Sequence, residues 1–252
     1  MVALHELVSY ADRLLAADEF ADYSPNGLQV EGRPQVRKLV SGVTASLALI
    51  DAAIAAEADA LLVHHGYFWK GEDARIVGMK RARLARLLAA DVSLLAYHLP
   101  LDAHPEYGNN AQLAKVLDFT VEGRFGTGRG PDLAMHGTLP RPLSPTRLGE
   151  HLAARLGRPP LHVAGGPETI RTLGWCTGAA QSLIEAASSC GLDAFISGEI
   201  SEPTVHVARE CGIHFFAAGH HATERYGVRA LGAHLAAEFG VAHAFIDMDS
   251  PA

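Results

Sequence analysis

The fold is decided by one short stretch, Ala60-Leu61-Leu62-Val63-His64-His65-Gly66. Its four apolar residues form the short continuous run that is typical of a buried strand in a parallel sheet. Two adjacent imidazoles at the end of such a strand are hard to explain by packing, because a buried polar ring needs a polar partner. The stretch therefore predicts a buried strand with candidate metal ligands at its carboxyl end.

Working outward from this stretch, short apolar runs alternate with helical segments. We predict strands at 38–42, 60–63, 92–97, 171–176, 194–197, 213–218 and 242–246. We predict helices at 46–58, 75–91, 110–117, 144–156, 181–190, 202–211 and 224–239. This alternation is expected of an α/β protein with mostly parallel sheets covered by helices.

The order of elements also repeats within the chain. Ala58-Asp59-Ala60-Leu61-Leu62 corresponds to Leu192-Asp193-Ala194-Phe195-Ile196. We therefore predict two similar α/β halves, residues 1–125 and 126–252, with a metal site in the cleft between them. The stretch rich in glycine and proline at 126–131 is predicted to be a linker or loop.

Composition excludes several classes of protein. The chain has 252 residues, of which 48% are hydrophobic and 19% charged, as in a globular protein. Its formal net charge of -7 argues against binding nucleic acid by bulk electrostatics, and the basic cluster at 79–86 is interpreted as a solvated helix face. The three cysteines form no CxxC pair and no leader or membrane span is recognisable, which indicates a cytoplasmic protein.

Two further segments carry ligand types like those of the opening stretch. His98-Leu99-Pro100-Leu101-Asp102 and His220-His221-Ala222-Thr223-Glu224 each follow a predicted strand, and each places a carboxylate four residues after a histidine. Ligands of open α/β sheets bind beyond the carboxyl ends of the strands. The candidate ligands outnumber those that a single ion needs, which favours a site with two metal ions. The candidates are His64, His65, Asp102, His220 and Glu224, with His98 and His221 nearby. Imidazole with carboxylate suits zinc, iron, manganese, nickel and copper.

Local geometry adds two expectations. Adjacent strand residues point to opposite faces, so His64 and His65 are expected to reach one site only if the chain turns, which Gly66 permits. Pro100 argues against a helix from His98 to Asp102, so a turn or loop is expected there.

Weaker candidates surround these segments. Glu199 takes the place of the double histidine in the second half, and is either a site residue or a surface carboxylate at a helix start. His206 is a further candidate for the same cleft. The aromatic segment at 67–70 is either a substrate wall or a packed loop.

These residues closely resemble the Nif-three-like dinuclear metal-centre family, whose members are often labelled GTP cyclohydrolase 1 type 2 homologues. The matching stretches cover nearly the whole chain: 23–30, 42–46, 63–70, 97–104, 197–199 and 219–225. The resemblance is to the short bacterial form, and it implies a two-domain protein that assembles into a toroidal hexamer. It also implies two metal ions per subunit, held by His64, His65, Asp102, His220 and Glu224, with His98 as a further site histidine.

The residues are compatible with two classes of function. The first is a metal-dependent hydrolase of a nucleotide or related small molecule, in which His98 transfers a proton or orients a ligand. If the cyclohydrolase label applies, water attacks the imidazole-ring carbon of a purine; phosphoesterase and amidase chemistry fit the residues equally. The second class is a metal-trafficking or scaffold protein without catalysis. Surplus ligands favour an open, catalytic site over a closed structural one.

Overall fold

A computed structural model of the chain describes residues 1–126 and 132–252. The predicted linker at 126–131 lies, apart from Gly126, outside the described residues. The described strands are β1 (Val2–Ala3), β2 (Gly27–Val30), β3 (Gln35–Val36), β4 (Lys38–Thr44), β5 (Ala60–His65), β6 (Ser93–Ala96), β7 (Thr120–Phe125), β8 (Ala134–Leu143), β9 (Leu161–Val163), β10 (Ile170–Cys176), β11 (Ala194–Ser197), β12 (His214–Ala217) and β13 (Ala242–Phe245). The described helices are α1 (Leu4–Leu15), α2 (Leu47–Ala55), α3 (Gly78–Ala90), α4 (Leu99–Ala103), α5 (Asn109–Val116), α6 (Pro145–Leu156), α7 (Ile184–Ser189), α8 (Glu202–Glu210) and α9 (His220–Phe239).

The described residues pack into two compact units. The first comprises Met1–Gly108 and Gly227–Asp249, and the second comprises Asn109–Tyr226 and Ser250–Ala252. These bounds differ from the predicted halves, which follow one another along the chain. The first unit takes a C-terminal segment because β13 pairs in parallel with β4 and the apolar residues Val228, Leu231 and Leu235 of α9 pack in its core.

The first unit contains a sheet of strand order β13-β4-β5-β6-β2 within the described residues. Its first four strands are parallel, and β2 joins β6 in the antiparallel sense. A small antiparallel pair, β1 and β3, lies outside this sheet. Buried side chains cover both faces of the sheet, and Leu39, Leu61 and Leu62 among them are fully buried.

The second unit contains a sheet of strand order β7-β8-β10-β11-β12-β9 in the described part of the chain. Only β10, β11 and β12 are parallel; β7, β8 and β9 pair antiparallel at the two sides. The sequence did not predict these antiparallel strands, because their segments are rich in Gly, Pro, Arg and other polar residues and lack a clear apolar run.

The predicted repeat is visible in the parallel triplets. Leu39 pairs with Ala60 between β4 and β5, and Leu173 pairs with Ala194 between β10 and β11. The third strands continue the match, β6 beside β5 and β12 beside β11. The two units are therefore similar α/β folds built on a three-stranded parallel core, as the sequence predicts.

In each unit, one aspartate forms hydrogen bonds with the backbone where the three parallel strands begin. The Asp59 carboxylate accepts hydrogen bonds from the backbone N–H groups of Arg37 at 2.7 Å and Lys38 at 3.0 Å. Asp193 accepts from the equivalent groups of Arg171 at 2.8 Å and Thr172 at 3.0 Å. Each carboxylate satisfies two donors where neighbouring strands begin, which explains why Asp recurs at matching places in the repeat.

Several predicted elements end close to their observed bounds. Ser46 caps α2 by accepting from the backbone N–H of Leu49, and Ser144 caps α6 in the same way ahead of Pro145. No helix in the two described ranges is both long enough and apolar enough to cross a membrane.

Candidate metal centre

The double histidine ends strand β5 as predicted, but the turn expected at the pair does not occur, since both histidines lie within the strand. His64 is fully buried, and its Nδ1 donates to the carbonyl oxygen of Tyr97 at 2.9 Å. His65 remains within the strand, with Nδ1 3.2 Å from the Thr44 hydroxyl. The ring centroids lie 4.5 Å apart. A side chain at Gly66 would overlap the amide oxygen of Gln29, so close packing accounts for this glycine.

The segment from His98 to Asp102 is helical, and the predicted turn or loop is wrong. Helix α4 starts after His98, which occupies its N-cap position, and Pro100 lies in the first turn. Proline is tolerated there because the first amide groups of a helix have no intrahelical acceptor. The helix places the buried Asp102 with its Oδ1 3.5 Å from His64 Nε2.

An aspartate that the sequence did not single out holds His98. Asp22 Oδ1 accepts from His98 Nδ1 at 2.7 Å, and Oδ2 accepts from the backbone N–H of Leu99 at 2.8 Å and from the Asn26 amide at 3.0 Å. Burial raises the pKa of Asp22, but these hydrogen bonds outweigh burial and lower its pKa to about 2. Asp22 is therefore a carboxylate at neutral pH, and it keeps the Nδ1 proton on His98.

The first unit thus gathers most of its predicted ligands in one place. One candidate ligand atom from each of His64, His65 and His98 lies within 4.8 Å of the others. Asp102 adds a carboxylate beside His64. Trp69 lies against this group, with its ring centroid 5.1 Å from that of His98.

The second unit contributes a separate pair at the start of α9. His220 Nε2 lies 3.1 Å from Oε2 of the buried Glu224, one helical turn later. His220 Nδ1 donates to Glu199 Oε1 at 2.7 Å. Burial lowers the pKa of His220, but the hydrogen bonds and negative charges of Glu224 and Glu199 together raise it to about 9. Glu199 is therefore a partner of a candidate ligand rather than only a surface carboxylate.

The loop after β10 packs closely against His220 and Glu224. Gly178 has φ of +67°, and a side chain there would overlap Glu224 Oε1. The Thr223 hydroxyl accepts from the backbone N–H of Gly178 at 3.1 Å and donates to the carbonyl oxygen of Gly219 at 2.9 Å. The glycine leaves room for the carboxylate, while the threonine holds the loop to the helix.

Other candidates lie elsewhere or serve the packing. His206 is exposed on α8 and pairs with Glu202 at 2.7 Å. His221 follows His220 in α9, where its backbone N–H donates to the carbonyl oxygen of Ala252 at 3.3 Å. Tyr67 is buried, and its hydroxyl donates to the carbonyl oxygen of Ala45 at 2.6 Å, so this part of the aromatic segment is packed.

The donor set fits divalent transition metals. In His64, His98 and His220, Nδ1 donates to a carbonyl or carboxylate, and in His65 it adjoins a hydroxyl. Metal-binding histidines characteristically fix one ring nitrogen in this way, which leaves the other nitrogen for the ion. Carboxylates beside these rings complete a set that suits zinc, iron, manganese or nickel.

The fold and these residues define a class: an α/β protein with duplicated parallel cores and candidate metal ligands at its strand ends. Comparison with known sequences identifies the family. Residues 2–251 match Duf34/NIF3 (NGG1p interacting factor 3), and the chain belongs to this family.

Similar proteins cover the chain from end to end. A protein of Pseudomonas aeruginosa named "GTP cyclohydrolase 1 type 2 homolog" is 58% identical over 251 residues, spanning 100% of this chain and 99% of its own length. A solved structure described as "Structural genomics, protein ybgI, unknown function" has 51% identity and a TM-score of 0.96, with each chain covered completely. The structure of TTHA1606 from Thermus thermophilus has 36% identity and a TM-score of 0.90, again over both full chains.

Proposed function

We propose that this protein is a metal-dependent hydrolase of a nucleotide or related small molecule. In this proposal His64, His65, Asp102, His220 and Glu224 hold two divalent metal ions. The observation that carries the proposal is the Nδ1 hydrogen bond of His64, His98 and His220 to a carbonyl or carboxylate, because a precise orientation of several imidazoles has no evident purpose in packing alone.

The metal ions supply the electrophilic chemistry when bound: they make water nucleophilic at neutral pH and stabilise negative charge on the attacked group. The protein contributes orientation and proton transfer. Asp22 holds His98 by Nδ1, so Nε2 is the nitrogen that can exchange a proton with substrate or water. His98 is our candidate for the catalytic acid or base.

The substrate class rests on the resemblance and the relatives. The Pseudomonas aeruginosa relative is named as a homologue of GTP cyclohydrolase 1 type 2. We therefore place a purine nucleotide first among candidate substrates. Phosphoester and amide hydrolysis use the same activated water, and they belong in the same screen.

The first test is elemental analysis of the purified protein. We expect two divalent ions per chain, and we expect His64→Ala and Glu224→Ala to lower metal content. His206→Ala is the matched control, because His206 is exposed and distant in sequence from every proposed ligand.

The second test separates a hydrolase from a metal carrier. The metal-loaded protein is screened against purine nucleotides, phosphoesters and amides, and His98→Gln should keep its metal while losing turnover. If Glu224→Ala loses its metal yet keeps all hydrolytic activity, the proposed mechanism is wrong. Failure of every substrate with every metal would instead support metal trafficking.

We also propose the hexamer that the resemblance implies, together with a cytoplasmic location. Sedimentation velocity on the purified protein tests the assembly: six copies of the 26.7 kDa chain should sediment as one species. Cell fractionation with an antibody tests the location.

A further inference from the structure

A cleft in the first unit lies next to the side chains that contact His98. Its volume is about 760 Å³, which is within the range of small-molecule sites. Asp22 and Asn26 line this cleft, and the same two side chains accept hydrogen bonds from His98. A molecule in the cleft would therefore lie one side chain away from the proposed catalytic histidine.

Two cations in the cleft have no partner. Arg13 and Lys70 line it and are exposed, and within the described residues neither side chain makes a hydrogen bond or ion pair. Two of the three carboxylates in the cleft are already engaged, since Asp12 accepts from the Tyr97 hydroxyl at 2.7 Å and Asp22 accepts from His98. A hydrogen bond does not cancel the charge of a carboxylate, so the cleft holds three carboxylates beside the two cations. Among the described residues, Arg13, Lys70 and the exposed Asp18 are the charged groups of the cleft whose side chains make no hydrogen bond or ion pair.

Aromatic rings form another part of the wall. Tyr23 is 62% exposed and Phe68 is 38% exposed, although aromatic side chains usually bury most of their surface. Phe68 also has φ of +65°, a strained conformation for a bulky residue. Such strain is concentrated at binding sites, where the surrounding structure holds a side chain in position.

The two loops that carry these rings are joined to each other. The backbone N–H of Lys70 donates to the carbonyl oxygen of Tyr23 at 2.6 Å. Lys80 lies 5.3 Å from the centroid of the Phe68 ring and is itself paired with Glu72 at 2.8 Å. The two loops that carry the aromatic rings and Lys70 are therefore joined before a ligand arrives.

We infer that this cleft binds a nucleoside phosphate, with the phosphate between Arg13 and Lys70 and the base against Tyr23 and Phe68. Two cations suit a phosphate and exposed rings suit a planar base, while Asp18 offers an acceptor to base N–H groups. The inference rests on the proposed function, which already names a purine nucleotide, and adds the surface that would bind it, next to the Asp22 side chain that orients His98.

Calorimetric titration of the full chain tests this site with three matched probes. GMP carries both a base and a phosphate, guanosine lacks the phosphate, and ribose 5-phosphate lacks the base. We expect GMP to bind at least ~10-fold more tightly than either of the others, and added salt to weaken GMP binding. Equal affinity for GMP and guanosine would overturn the inference.

Variants then place the binding in the cleft. Arg13→Gln, Lys70→Gln and Phe68→Leu should each weaken GMP binding by roughly 10-fold, since each removes one of the expected contacts. Arg209→Gln, which removes an exposed arginine on α8, is the control and should leave GMP affinity unchanged. All four positions are exposed, and thermal unfolding of each variant checks that the fold is intact.

The titrations are run with chelator and again with added zinc, so that this inference and the proposed hydrolase fail separately. GMP binding that persists in chelator and falls in the cleft variants supports the inference even if no substrate is hydrolysed. GMP binding that is absent, or that is unaffected by all three cleft variants, overturns it even if the protein proves to be a metal-dependent hydrolase.

Discussion

At the scale of single residues, the choice of hydrogen-bond partner decides which nitrogen of each histidine is available. Carbonyl and carboxylate groups accept only, so His64 and His98 carry a proton on Nδ1. His220 also donates from Nδ1, to Glu199, but its Nε2 faces the Glu224 carboxylate, and its raised pKa of about 9 means that both nitrogens are protonated at neutral pH when no ion is bound. The sequence shows the histidines but not their partners. Asp22 lies 76 residues before His98, so no spacing rule connects the two.

Gly178 provides a test at the same scale. Gly178→Ala would press a methyl group onto Glu224, so we expect metal affinity to fall about 10- to 100-fold. Gly191→Ala is the matched control, because Gly191 has a similar φ of +71° but no neighbour near its missing side chain. Competition with a chromophoric chelator measures both affinities. An equal loss in the two variants would show that backbone strain, not the space beside Glu224, is responsible.

At the scale of elements, the repeat is maintained by where strands begin and end. Each parallel triplet starts at an aspartate that binds two backbone N–H groups, and β5 ends in the histidine pair. Helix α4 shows that a proline does not by itself exclude a helix. Pro100 excludes helix only where its missing N–H would be needed, and the first turn does not need it.

Asp59 makes this element-scale argument testable by pH. Burial raises the pKa of Asp59, but hydrogen bonds from the backbone of Arg37 and Lys38 and from Arg33 outweigh burial and lower it. A carboxyl whose pKa is lower in the folded state stabilises the fold above its unfolded pKa of about 3.9, and this contribution is lost as pH falls through the folded value. Asp59→Asn should therefore reduce the free energy of unfolding by about 1–3 kcal/mol at pH 7, and the deficit should shrink below pH ~4.

Urea unfolding at a series of pH values measures this difference between the parent protein and Asp59→Asn. Asp51→Asn serves as the control, because the only partner of Asp51 among the described residues is Arg86, in a surface pair at 3.4 Å. A deficit for Asp59→Asn that is constant down to pH ~3 would refute the proposed role of the charge.

At the scale of the whole molecule, the polypeptide does not divide into consecutive halves. The first unit is completed by residues from near the C-terminus, through β13 beside β4 and the apolar residues of α9. Pairing between segments about 200 residues apart leaves no local trace in the sequence. A boundary drawn from the internal repeat and the predicted linker therefore differs from the boundary that packing produces.

Removal of the bound metal ions should lower the stability of the whole molecule. Ions bound only by the folded protein stabilise it by an amount that grows with the logarithm of their concentration relative to the dissociation constant, about 2.7 kcal/mol at a ratio of 100. For a chain of this size we expect chelation to lower the unfolding temperature by roughly 5–10 °C. Differential scanning calorimetry measures the change, and chelator should lower the unfolding temperature of His64→Ala by less than that of the parent protein. A parent protein with the same unfolding temperature in both conditions would contradict metal binding to the native state.

The parallel triplets, their repetition and the ligand types at their strand ends could all be predicted from the amino-acid sequence. These features are local: an apolar run, its neighbours and a spacing of four residues are sufficient to specify them. Four features could not be predicted from the sequence and became visible only in the folded protein. They are the contact of Asp22 with His98, the contact of Glu199 with His220, the helix at Pro100 and the pairing of β13 in the first sheet. Each depends on contacts made by folding, and most join residues far apart in the chain, because burial and hydrogen bonding select partners by position in space rather than by order in the sequence.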